Sequence, residues 1–169
     1  MGAAGILGED DRVELIDGEM IEMAPIGTRH LSMVNRLTRM LSLAVGREAI
    51  VSPQNPIALP PQTEPQPDVA LLKPRADDYA GKLPGAADLN LVIEVADTTL
   101  AYDRDIKIPL YARYGIPEVW LFDLQAGSLS VHRDPGPNGF QLVLTPKRNE
   151  SVSPILLPTV RIDLAEVWR

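Results

Sequence analysis

From Leu89 to Val95 the sequence reads Leu-Asn-Leu-Val-Ile-Glu-Val, an almost continuous apolar run with one carboxylate near its end. A run of this length and character suits a central strand covered on both faces. Side chains alternate along a strand, so Asn90, Val92, Glu94 and Ala96 share one face, and Leu91, Ile93 and Val95 share the other. Glu94 therefore points out of an otherwise largely apolar strand. Burying an unpaired charge costs on the order of several kcal/mol, so Glu94 is expected either to have a partner, a salt bridge or a metal ion, or to reach solvent at the strand end.

The elements around this strand predict an α/β (α+β) chain with a central mixed sheet flanked by helices. Asp17-Gly18 lies between two short apolar-rich runs within Val13 to Met23, a strong signal for an N-terminal hairpin. Leu31, Val34, Leu37 and Leu41 recur at helical spacing before Gly46, which predicts an amphipathic helix over Arg29 to Val45. Six prolines between Pro53 and Pro67 argue for extended loops and short edge strands. Strands are expected at Asp68 to Leu72 and Glu118 to Asp123. Proline is best tolerated in a first helical turn, so the helix that holds Lys107, Pro109 and Tyr111 is expected to begin near Asp105 and to end at Gly115. A C-terminal hairpin of Ser128 to His132 with Phe140 to Leu144 surrounds the turn-rich stretch from Asp134 to Gly139. Residues 1–11 are expected to be a flexible tail ahead of one domain over residues 12–169.

Composition narrows the chemistry. The chain has no cysteine and two histidines, so thiolate sites are excluded, a histidine-rich metal centre is not expected, and a reducing cytoplasm is the expected compartment. A metal would be held by carboxylates and carbonyls, which suits magnesium or manganese. Neither a signal peptide nor a membrane span is expected. The formal charge of −7 opposes a protein that coats nucleic acid by global attraction, so any such contact must be local. Lys73, Arg75, Lys82 and Arg104 are the candidates for it. Trp120, Leu156 and Trp168 are candidates for an exposed apolar patch, and a homodimer is expected.

Asp68 opens a strand directly after Gln66-Pro67 and could meet Glu94 on a neighbouring strand. Two carboxylates with a strand carbonyl such as that of Val95 would make an oxygen cage for a hard cation. The segments Gln66-Pro67-Asp68-Val69-Ala70, Ile93-Glu94-Val95-Ala96-Asp97 and Tyr102-Asp103-Arg104-Asp105-Ile106-Lys107 continue into Tyr111 to Asp123. Together with Glu14 to Glu19 and His30, they make the chain similar to the Uma-two family of restriction-endonuclease-like proteins, within the PD-(D/E)xK nuclease superfamily.

That resemblance implies a restriction-endonuclease-like core with a metal held by Asp68 and Glu94. In the superfamily a catalytic lysine usually stands two residues after the glutamate, a position that is Ala96 here. Lys107 is the replacement that the resemblance suggests, acting from the following helix to polarise water and stabilise negative charge. His30 and Glu22 are further candidates, and Gln66 shares strand parity with Asp68. Tyr111 and Glu118 are expected to be packing residues, and Trp120 and Phe122 to lie in the core or an interface. The expected activity is metal-dependent hydrolysis of DNA. A catalytically silent nuclease-fold protein that binds nucleic acid or protein is the alternative, and a plain interaction protein with structural acids is a third reading.

Overall fold

The computed structural model describes residues 12–169, and the tail expected over residues 1–11 lies outside them. β1 (Val13–Ile16) and β2 (Glu19–Glu22) form the N-terminal hairpin, turning through Asp17 and Gly18, both at positive φ. α1 (Thr28–Val45) follows, and Met33, Val34, Leu37, Leu41 and Val45 face the core. Leu31, expected on that face, is 47% exposed.

Six strands make the main sheet, in the order β3 (Ile50–Pro53), β4 (Val69–Leu72), β5 (Leu89–Ala96), β6 (Glu118–Asp123), β7 (Ser128–Gly136) and β8 (Gly139–Leu144). All adjacent pairs are antiparallel except β5 with β6, which run parallel and are joined by a helical crossover. Every residue of β5 is buried, as its apolar run requires. A short β9 (Ser151–Val152) pairs with β10 (Ile162–Asp163), and α4 (Leu164–Val167) ends the chain.

Alternation along the strands divides the core. Leu91, Ile93 and Val95 pack with α1, Trp120, Phe122 and the C-terminal segment. Val92 and Ala96 pack on the other side with Ile108, Tyr111 and Ile116. Trp120 is fully buried and belongs to the core, not to an exposed patch. Trp168 is partly buried against Phe122, with ring centroids 5.7 Å apart, whereas Leu156 is 49% exposed.

Two elements differ from expectation. The crossover helix begins at Leu100, not near Asp105: α2 (Leu100–Tyr102) runs into a π turn (Asp103–Lys107) and then α3 (Ile108–Arg113). The Ile108 amide donates five residues back to the Asp103 carbonyl, and this widened turn accommodates Pro109, which has no N–H to donate. In the C-terminal hairpin the strands extend to Gly136 and Gly139, so the turn-rich stretch is mostly strand and the reversal itself is only Pro137-Asn138. Among the described residues no helix is long and apolar enough to cross a membrane.

Candidate active site

The antiparallel register of β4 with β5 sets Val69 opposite Ile93, so the residue before β4 and the end of β5 come together. Asp68 Oδ2 accepts the Val95 amide at 2.8 Å, and this places its carboxyl beside Glu94. The other oxygen, Oδ1, lies 2.9 Å from His30 Nε2, on the first turn of α1. A carboxylate can only accept, so Nε2 carries the proton. His30 Nδ1 is buried without a hydrogen-bond partner. The Asp68 hydrogen bond holds the His30 pKa above its ordinary 6.5, against the opposing effect of burial.

Glu94 is 2% exposed, and its Oε1 accepts from the Tyr111 hydroxyl at 2.5 Å and from Lys107 Nζ at 2.7 Å. Lys107 leaves the π turn and is only 3% exposed, so its ammonium is held in place among its partners. Its ammonium also donates to Glu14 Oε1 at 2.7 Å and to the Gln66 carbonyl at 3.4 Å. Burial works to lower the Lys107 pKa, but the neighbouring carboxyl groups of Glu94 and Glu14 outweigh it and raise it well above its ordinary value. Ala96 shares the Glu94 face of β5, so Lys107 supplies from the helix the cation that this strand lacks.

Glu14, on β1, does not stand out in the sequence as a site residue, yet it is 3% exposed and central. Its Oε1 also accepts the Gln66 amide at 2.8 Å, and its Oε2 accepts from the Tyr102 hydroxyl at 3.4 Å. Asp103 is likewise missed by sequence reasoning. It opens the π turn, is 5% exposed and accepts from Thr99 Oγ1 at 2.7 Å, while burial pushes its pKa up to about 6. The signals available for both are weak, a charge inside a short apolar strand and an acid four residues before Lys107.

These groups line a cleft of about 540 Å³ that also takes in Arg12, Glu22, Gln66, Val95, Asp97 and Tyr102. Gln66 turns its side-chain amide to the Val13 carbonyl at 3.3 Å, bracing the hairpin against the cleft floor. Tyr111, expected as packing, reaches the site through its hydroxyl. Glu118 is the packing residue expected: fully buried, it accepts from Trp120 Nε1, Arg133 and the Ile155 amide. Lys73, Arg75, Lys82 and Arg104 do not line the cleft. Lys73 and Arg75 follow β4 whereas Asp68 precedes it, with Lys73 roughly 17 Å away along the strand. Arg104 pairs with Asp105 on the exposed face of the π turn. Arg12, at the cleft wall, and Arg29, 3.2 Å from Asp97, are the cations nearer the mouth.

Glu14, Asp68, Glu94 and Asp103 are four buried acids served by Lys107 and His30. Burial pushes Glu94 well above the ordinary carboxylate range, although Lys107 opposes this, and neighbouring acids add to the rise. The cleft therefore resists its full negative charge, and its oxygen-only surplus fits a hard divalent cation. Among the described residues no three acids or histidines converge as a ready-made cage, so such an ion would complete its shell with carbonyl and water oxygens.

A family described as "Putative restriction endonuclease", Uma2, matches residues 4–165. The chain belongs to the Uma2 family. No curated protein matches this Uma2 member. Its fold is similar to a solved structure described as "a putative nuclease belonging to DUF820" from Anabaena variabilis, with a TM-score of 0.79 at 16% identity, covering 98% of this chain and 94% of the other. The restriction-endonuclease-like fold expected from the sequence is thus the fold of this Uma2 chain, and the description of its family is that of a restriction endonuclease.

Proposed function

We propose that this chain is an endonuclease that hydrolyses DNA phosphodiester bonds with magnesium or manganese as cofactor. The observation that carries the reading is the meeting of Asp68, Glu94 and Lys107 in one open cleft whose acids outnumber its cations. Asp68 and Glu94, with a Val95 backbone oxygen, are the residues that would hold the ion. When bound, such an ion activates water and neutralises charge on the phosphate. The protein's own part follows from the contacts. Val95 and His30 fix the Asp68 carboxylate from two sides. Glu14 and Glu94 hold the Lys107 ammonium in one position, where it offers a fixed positive charge to negative charge developing on a phosphate oxygen. Tyr111 orients Glu94, and Gln66 keeps the hairpin against the lysine.

The rival reading is a silent nuclease fold that binds nucleic acid or protein, favoured by Ala96 and by the engagement of Lys107 with two carboxylates. Calorimetric titration with magnesium and manganese, paired with a plasmid-nicking assay, separates the two. Wild type is expected to bind either ion at millimolar concentration or tighter and to nick plasmid, whereas Asp68→Ala and Glu94→Ala lose both properties and keep their circular dichroism spectrum. No binding by wild type removes the metal site; binding without nicking replaces the enzyme by the silent fold.

A further inference from the structure

The two edges of the main sheet are finished differently. β3 ends in Pro53 and runs into a proline-rich segment, and α1 packs along it. Proline and short length are ordinary ways of blunting an edge against further pairing. β8 has neither. Its inner side is hydrogen-bonded to β7, and no strand among the described residues lies on its outer side. It also carries three consecutive exposed apolar residues, Leu142, Val143 and Leu144, at 45%, 51% and 41% exposure. An uncovered edge of this kind is a template for another strand.

What covers it is indicated by charge and by sequence symmetry. From Gly136 to Pro146 there is no charged residue, in a chain whose formal charge is −7. Two copies that meet here do so across a strip that carries no charge of its own, so no like charges within it oppose the approach. Leu142-Val143-Leu144 also reads the same in both directions. In an antiparallel pair of β8 strands about a two-fold axis at Val143, each Val143 faces its counterpart and each Leu142 faces a Leu144. Such a pairing is isologous, so it closes at two copies and does not propagate. Arg133, opposite Leu142 in the sheet, holds the Ser153 carbonyl at 2.8 Å.

We infer that β8 is the self-association surface of this protein, and that two copies join antiparallel through it, extending one six-stranded sheet into the other. The absence of cysteine makes the test direct, since Val143→Cys introduces the chain's sole thiol. Sedimentation equilibrium at micromolar concentration is expected to give twice the 18.5 kDa chain mass for wild type and the single-chain mass for Val143→Lys, with matching circular dichroism. Mild oxidation of Val143→Cys is expected to yield a covalent dimer within minutes, whereas Glu166→Cys, on the exposed side of α4, stays monomeric on a denaturing gel. A monomeric wild type overturns the inference, and so does a dimer that Val143→Lys leaves intact and Val143→Cys fails to cross-link.

Discussion

Lys107 sits between two carboxylates at 2.7 Å, and its removal strands both inside the protein. Lys107→Met is therefore expected to lower unfolding free energy by about 3 to 5 kcal/mol, the range for breaking a buried pair from one side, read from urea midpoints. An unchanged midpoint would mean that the two acids are already neutral. Glu14→Gln is the gentler probe, since the amide keeps the shape and leaves Glu94 on the lysine. Its expected effect is a fall in nicking rate of at least tenfold, with the magnesium affinity unchanged by calorimetry, because Glu14 positions the ammonium and does not touch the ion. Equal loss of metal binding and rate would make Glu14 a ligand. At this scale Asp68 and Glu94 are legible in the sequence, because one opens a strand after proline and the other breaks an apolar run. Glu14 is not: within Val13-Glu14-Leu15-Ile16 it reads as the polar face of a hairpin, and its burial is decided by Lys107, 93 residues away.

At the scale of elements, the π turn carries Asp103 and Lys107 into the cleft together, and their burial has a signature in pH. Burial raises Asp103 from 3.8 to about 6, with Lys107 and Thr99 opposing. A raised acid favours the folded state fully below its unfolded value and loses that contribution as pH climbs through its folded value. Asp103→Asn has no such proton to lose. In chelator-treated protein the variant is expected to exceed wild type by on the order of 2 to 3 kcal/mol at pH 8 and to lose the advantage near pH 4, measured by denaturant unfolding at both values. A gap that does not change with pH would show that the proton is not the cause. The strands and α1 are legible from periodicity and turn residues, whereas the start of the crossover helix is not. Pro109 reads as a first-turn residue of a regular helix, and periodicity gives no warning of a π turn that accommodates proline nine residues after Leu100.

For the whole molecule, a charge of −7 sets the terms on which a phosphate backbone can approach. On the proposed function, the cations nearest the cleft, Arg12 and Arg29, are the expected phosphate contacts, and binding is expected to weaken as salt rises. Affinity for a short duplex, followed by fluorescence anisotropy in calcium, is expected to drop from low to physiological salt. Arg12→Ala with Arg29→Ala should reduce the logarithmic salt slope by roughly one to two, about 0.9 for each phosphate that is no longer neutralised. A slope that the double variant leaves untouched would place the phosphate-binding cations elsewhere. The hairpin that supplies Glu14 stands outside the main sheet, tied to the chain near Gln62 and Glu64 by backbone hydrogen bonds. Withdrawing an ammonium from water is best offset when both of its acids are in place, one from the hairpin and one from the middle of the sheet. The centre thus acts as a clasp between two parts of the chain that pair with no common strand: the lysine is fully partnered only where the hairpin lies docked against the sheet.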